Sequence, residues 1–220
     1  MRDDGDMTRR GRPRVLTDAA IVDAGVRLTL PEVTVRAVAS ELGVSEMSVY
    51  RRTGGVEALR ALIAEGIVAR ADFSIPDRAD PEEALVELAL RLRDFVRAHP
   101  GIDEHLADLG PESTGTLERI DGSQAEFATR HSLSPAQASI LLSTVAEHAV
   151  ALTGADLRSH REDRDPESLG EATPTLRAGA SAAAGLSPEE RFTWSIRAVA
   201  RGASSLLGLP VRTDSPGIPR

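Results

Sequence analysis

The side chains of this 220-residue chain that could do chemistry fall into three groups. His99, Asp103, Glu104 and His105 cluster around a proline, and Glu147-His148 follows later. These are the residue types of a carboxylate–imidazole metal site, but their spacing matches no recognised ligand set. They read as helix-end and surface residues, and neither a metal nor a cofactor is expected. The second group is defined by what is missing. The sequence has no Gly-rich phosphate loop, no nucleophile elbow and no paired-acid motif. It has no cysteine either, which removes disulfides, thiolate metal sites and thiol nucleophiles together. No catalytic residue is assigned and the chain is not read as an enzyme. The third group is arginine: Arg9, Arg10, Arg12 and Arg14 in a leading cluster, then Arg36, Arg51 and Arg52 around a short helical string. Guanidinium groups so placed can grip phosphate.

The net charge of −8 opposes that reading, because phosphate neutralisation supplies most non-specific affinity for nucleic acid. The average hides an asymmetry. Met7 to Gly55 carries eight Arg against five acids, whereas Val56 to Arg220 carries 17 against 26. All 26 basic residues are arginine, which fits a compositional bias as well as a demand for phosphate reading. No apolar run approaches the ~18 residues of a membrane span, so a cytoplasmic protein without a membrane partner is expected.

The elements that must position these groups are helices. Thr17 can cap a helix whose Ile21, Ala24, Gly25 and Leu28 form one apolar face, and Pro31 ends it. Thr34 caps a second with Val35, Val38, Ala39 and Leu42 inward, and Gly43 turns the chain after it. Ser45 caps a third, Glu46 to Arg52, broken by Gly54-Gly55 before a fourth from Val56 to Ala71. Asp80-Pro81-Glu82-Glu83, Ser134-Pro135-Ala136-Gln137 and Ser187-Pro188-Glu189-Glu190 share a capping oxygen, proline at the first helical position and Glu or Gln at the third. Helices are also expected over 81–99, 102–109 and 113–130. No segment alternates with period two. Residues 158–185 read as a long loop in which 176–184 could form a partial helix.

The fold class is therefore all-α, with a small N-terminal helix-turn-helix unit joined to a larger helical unit, the latter assigned to ligand binding and dimerisation by the family resemblance that residues 9–65 carry. The expected boundaries are 1–14 for a flexible basic arm, 15–55 for the DNA-binding unit, 56–71 for a linking helix, 72–210 for the larger unit and 211–220 for a tail.

The helix-turn-helix rests on Ala39, Gly43 and Val44, which sit where the motif needs a small residue, a bend and an apolar pin. The string Thr34-Val-Arg-Ala-Val-Ala-Ser-Glu-Leu-Gly-Val-Ser-Glu-Met-Ser-Val-Tyr50, with Gly11-Arg12-Pro13-Arg14 before it and Leu59 after it, resembles the Tet repressor (TetR) family of bacterial regulators. The likeness is specific over residues 9–65. It implies that Thr34 sits against a phosphate and that Arg36 reaches backbone or a base edge. It also implies that Ser45, Glu46, Met47 and Ser48 form the leading end of the recognition helix. Met47 suits a thymine methyl and Ser48 reads several bases. Glu46 either accepts from a cytosine amino group or faces solvent. Tyr50 matches a phosphate-bonding position, with a buried ring as the alternative. Arg10 and Arg12 suit a narrow minor groove. Where the family carries His-Phe and a later Lys, this chain has Arg52-Thr53 and Val56, so Arg51 and Arg52 are left to supply that charge.

In the rest of the chain, Phe95, Leu106, Leu109, Phe127 and Trp194 are the candidate walls of an aliphatic cavity for an apolar or amphipathic small molecule. The resemblance implies that the last two long helices pair across a two-fold axis, with Leu141, Val145, Ala149 and Leu152 on one and Ile196, Val199, Ala203 and Leu206 on the other. The expected function is a homodimeric repressor of a palindromic double-stranded DNA operator, released by a small-molecule effector. The alternative is a ligand-binding or protein-interaction module with a decayed DNA-binding head.

Overall fold

Capping chemistry places the helix starts. In the computed structural model, which describes residues 16–159 and 173–211, Thr17 accepts from the Ala20 amide, Thr34 from Ala37 and Ser45 from Ser48. Ser187 and Glu190 close a reciprocal capping box, and so do Ser134 and Gln137. Asp80 caps through the Glu82 amide instead, and Glu83 turns outward to pair with Arg197. The described residues form ten α-helices and no strand: α1 (Asp18–Leu28), α2 (Val35–Leu42), α3 (Glu46–Thr53), α4 (Val56–Arg70), α5 (Pro81–Ala98), α6 (Ile102–Ala107), α7 (Thr114–Arg130), α8 (Pro135–Ser159), α9 (Pro174–Ala184) and α10 (Pro188–Leu206). A 3-10 turn, Leu30–Glu32, holds Pro31. Of the long loop expected over 158–185, residues 160–172 lie outside the described residues, Arg158 belongs to α8, and the partial helix expected over 176–184 is part of α9. Pro174 opens α9 in an Ala-rich stretch of high helix propensity, although no α9 residue is fully buried.

Helices α1 to α4 share one core, in which Ile21, Val38, Val49, Leu59 and Ile63 are fully buried. Each such side chain contributes roughly 1.5–3 kcal/mol. α1 and α4 cross at glycines on both sides: a β-carbon on Gly25 would lie 2.7 Å from Ile63 Cγ1, and one on Gly66 would lie 2.7 Å from Val22 Cγ1. The same core continues beyond α4 to Val96 of α5, Ile102 of α6 and Val150 of α8.

α8 is the axis of the second core. It is long and apolar enough to cross a membrane, yet it packs against α5, α6, α7 and α10. This corrects the expected dimer surface. Leu141, Val145 and Ala149 of α8 and Ile196 of α10 are buried inside this one chain against α5 and each other, so they cannot meet a second copy. Leu152, Val199 and Ala203 lean on the same core and are partly covered. Leu206 alone of the eight is open, at 91% exposure. The α5–α10 seam is closed by ion pairs, Arg201 to Glu82 at 2.8 Å and Arg197 to Glu83 at 2.9 Å.

Substituting Gly25→Ala or Gly66→Ala tests the α1–α4 crossing. Overpacking there costs about 1–3 kcal/mol, against a helix-propensity gain of about 1 kcal/mol. A net fall in thermal midpoint is expected by calorimetry; a midpoint equal to or above the parent's would show that the two helices separate freely.

Candidate functional site

The turn between α2 and α3 is built as the motif requires. Gly43 adopts the left-handed conformation at φ 65°, which a side chain would resist, and the Val44 amide donates to Ala39 O at 3.0 Å. Ala39 is buried under the turn and Val44 is half-covered. Val49 anchors α3 from beneath, so its opposite face points outward. Met47 is 61% exposed and Tyr50 53%, which excludes the buried-ring role for Tyr50. Ser45 and Glu46 are exposed, while Ser48 is half-buried with its hydroxyl 2.8 Å from that of Ser45. Thr34 is exposed at the start of α2, its hydroxyl already accepting from Ala37.

The arginines divide by partner. Arg52 donates twice to Asp18 of α1, at 2.8 and 2.7 Å, and this pairing holds the Asp18 carboxyl below its usual range. The pair is charged throughout neutral pH and braces α3 on α1, so Arg52, expected as a phosphate contact, already has a carboxylate partner. Arg27 pairs with Glu41 at 2.6 Å, and Arg70 with Asp23 at 2.7 Å. Arg36 and Arg51 are exposed and have no acidic partner among the described residues. Arg10 and Arg12 lie outside the described residues. Among residues 16–55, Asp18, Asp23, Glu32, Glu41 and Glu46 outnumber the arginines. Positive potential on this unit thus depends on Arg36, Arg51 and the leading cluster.

A cavity of about 630 Å³ opens between α5, α6, α7 and α8. Leu106 and Leu109 line it, as expected, beside Leu88, Leu92, Ile120 and Val150. Three expected wall residues do not. Phe127 is fully buried against His131, and Phe95 stacks edge-on to Phe73 at 5.2 Å behind the wall. Trp194 stands on the outside of α10, 45% exposed. Phe73 is the aromatic residue that lines the cavity. The wall is bonded to α4. Glu65 of α4 accepts from the Thr116 amide at 3.1 Å and its hydroxyl at 2.9 Å, and its other contact is His105 Nε2 at 3.2 Å. Ser123 and Arg119 of α7 donate to the Phe73 and Ala71 carbonyls just beyond α4. Thr116, Ser123 and Phe73 all line the cavity.

Neither a family model nor a curated protein sequence matches this chain. Solved structures do. A possible TetR family transcriptional regulator from Streptomyces coelicolor A3(2) superposes with a TM-score of 0.68 at 20% identity, over 86% of this chain and 100% of its own. A further TetR regulator from Streptomyces coelicolor gives 0.64 at 24% identity over 87% and 99%. The Streptomyces coelicolor TetR family protein ActR, in complex with (S)-DNPA, gives 0.63 at 22% identity over 88% and 98%. The chain has the TetR fold.

Within this TetR fold, α3 is the exposed second helix of the helix-turn-helix, and the cavity sits one helix layer below α4. Sequence reasoning missed Glu65. A single glutamate on an amphipathic helix reads as a solvated side chain, and only the arrival of α6 and α7, 40 and 51 residues later, gives it partners. It also missed the outward stripe of α10, where Trp194, Ala198, Gly202 and Leu206 recur every four residues and all are exposed.

The division of the arginines makes a measurable difference. Arg36→Ala and Arg51→Ala are expected to weaken DNA binding alike on all sequences, each lowering the slope of log K against log salt by about 0.9. Arg52→Ala is expected to lower thermal stability and leave that slope unchanged. Salt titration of binding separates the two; a slope loss for Arg52→Ala equal to that of Arg51→Ala would refute the division.

Proposed function

We propose that this chain is a member of the TetR family acting as a homodimeric, ligand-responsive transcriptional regulator in the cytoplasm, without catalytic activity of its own. In this reading it is a repressor that holds a palindromic operator until a small molecule enters the cavity. The observation that carries the reading is the bonding of the cavity wall to α4, the helix that also forms the core of the DNA-reading unit. Met47 and the α3 leading end would meet base edges, while Tyr50, Arg36 and Arg51 meet phosphates. One neighbour in fold, ActR, is described with a small molecule bound.

An effector can release DNA only if it favours one arrangement of α4 over the other. Thr116 and Ser123 touch the cavity and also bond to Glu65 and the Phe73 carbonyl, so a molecule that moves α7 pulls on α4. α4 in turn carries α1 on Gly66 and α3 through Val49. The expected coupling is about 1–3 kcal/mol.

Dimerisation supplies the second reading head. The exposed stripe Trp194, Ala198, Gly202 and Leu206, with Ile140 of α8 also exposed, offers a second copy two large apolar side chains flanking two small ones. In this reading a two-fold pairing of such a stripe would present two α3 helices to half-sites one DNA turn, about 34 Å, apart. The scarcity of unpaired cations on the head favours, as a second reading, a ligand-binding module whose DNA contacts have decayed.

Footprinting on the DNA upstream of its own gene decides between them. Protection of two inverted half-sites is expected. Ala198→Arg is expected to give a helical monomer in ultracentrifugation that no longer protects them. Absence of salt-sensitive, sequence-dependent binding there and in a random-site selection would reject the regulator reading.

A further inference from the structure

The polar end of the cavity has a charge imbalance. Asp103 of α6 is buried, its carboxylate lying on the α8 backbone at Gly154, where any β-carbon would overlap it. Its partner is Arg158, from the last turn of α8, whose side chain is 58% exposed. Glu104 and Glu147 also line the cavity, and Glu147 lies seven residues, about 10 Å along α8, from Gly154. Asp103 is the buried carboxylate of the lining, Glu104 and Glu147 are solvent-exposed, and Arg158 is the one cation among the lining residues. The other walls are mainly aliphatic, with Leu88, Leu92, Leu142 and Val150 among them.

A buried carboxylate must keep a cationic partner, because stranding it costs far more than the pair is worth. The two partners differ in freedom. Asp103 is fixed between α6 and the glycine notch of α8, whereas the Arg158 guanidinium is already half in water and can return to it. A ligand that brings its own cation can take the place of Arg158 on Asp103 and lay an apolar body along the leucines. An anionic ligand would add a fourth negative charge, and a neutral one would leave Arg158 in place.

We infer that the cavity selects a cationic amphiphile, an apolar molecule bearing one ammonium or amidinium group, which docks on Asp103 by displacing Arg158. The inference rests on the proposed reading of the cavity as the effector site. It adds the charge of the ligand to that reading. Asp103 is the recognition group, and Arg158 is a resident competitor that pairs with Asp103 until a ligand cation replaces it.

The test is calorimetric titration of the full chain with three probes below their micelle concentrations: decylamine, decanoate and decanol. Decylamine is expected to bind at least about tenfold more tightly than the other two, as a charge-assisted hydrogen bond requires. Asp103→Asn should lose that advantage while keeping decanol affinity. Arg158→Gln should tighten decylamine, because the competitor is gone; a merely structural ion pair would give the opposite sign, and this variant serves should Asp103→Asn fail to fold. Equal binding of all three probes, tighter binding of decanoate, or weaker decylamine binding by Arg158→Gln would overturn the cation inference and leave the effector-site reading standing. Binding of none of the three would overturn both.

Discussion

Everything in this molecule that could transmit a signal depends on the double packing of α4. On one side, Gly25 and Gly66 let α1 and α4 approach so closely that Ile63 and Val22 occupy the space of their missing β-carbons. On the other side, Glu65 is held by Thr116 and His105. The first contact is apolar and directionless, and makes α4 part of the helix-turn-helix unit. The second is polar and directional, and makes it part of the cavity wall. Because interiors are close-packed, a shift of α4 cannot be absorbed locally. The continuous core from Ile21 through Ile63 to Val96 and Ile102 extends the same constraint into the body.

The electrostatics follow the same division of labour. Arginines that face other helices are spent on structure: Arg52 on Asp18, Arg27 on Glu41, Arg70 on Asp23. These exposed pairs add little stability each, but they orient the short helices that a small core cannot fix alone. Arg36 and Arg51 are left over on the head, where a phosphate backbone would be met. The positive charge of the helix-turn-helix unit is thus concentrated in very few side chains and in the leading arginine cluster.

Much of the fold was legible in the sequence because its signals are local. The oxygens of Thr17, Thr34, Ser45, Ser134 and Ser187 and the prolines after Asp80, Ser134 and Ser187 fix helix starts without reference to the rest of the chain. What periodicity could not supply was the rotation of helices that are apolar on two faces. In α10, Ile196 and Trp194 belong to different stripes, one covered by α5 and α8 and one left open, and both read as buried faces from sequence. That is why Leu141, Val145, Ala149 and Ile196 were assigned to a dimer surface and Trp194 to a cavity. The Arg52–Asp18 pair is illegible for a related reason, since its members lie 34 residues apart and nothing local marks them. Leu106 and Leu109, on and just after a short helix, line the cavity.

The claim that α4 is shared between the reading head and the cavity wall is tested most directly by amide hydrogen exchange on Glu65→Ala. Loss of the carboxylate leaves α4 without its bonds to α6 and α7. Faster exchange is expected in the first turn of α7, in α4 itself and in the α1 and α3 amides packed upon it. Acceleration confined to α6 and α7, with α1, α3 and α4 exchanging as in the parent, would contradict the account.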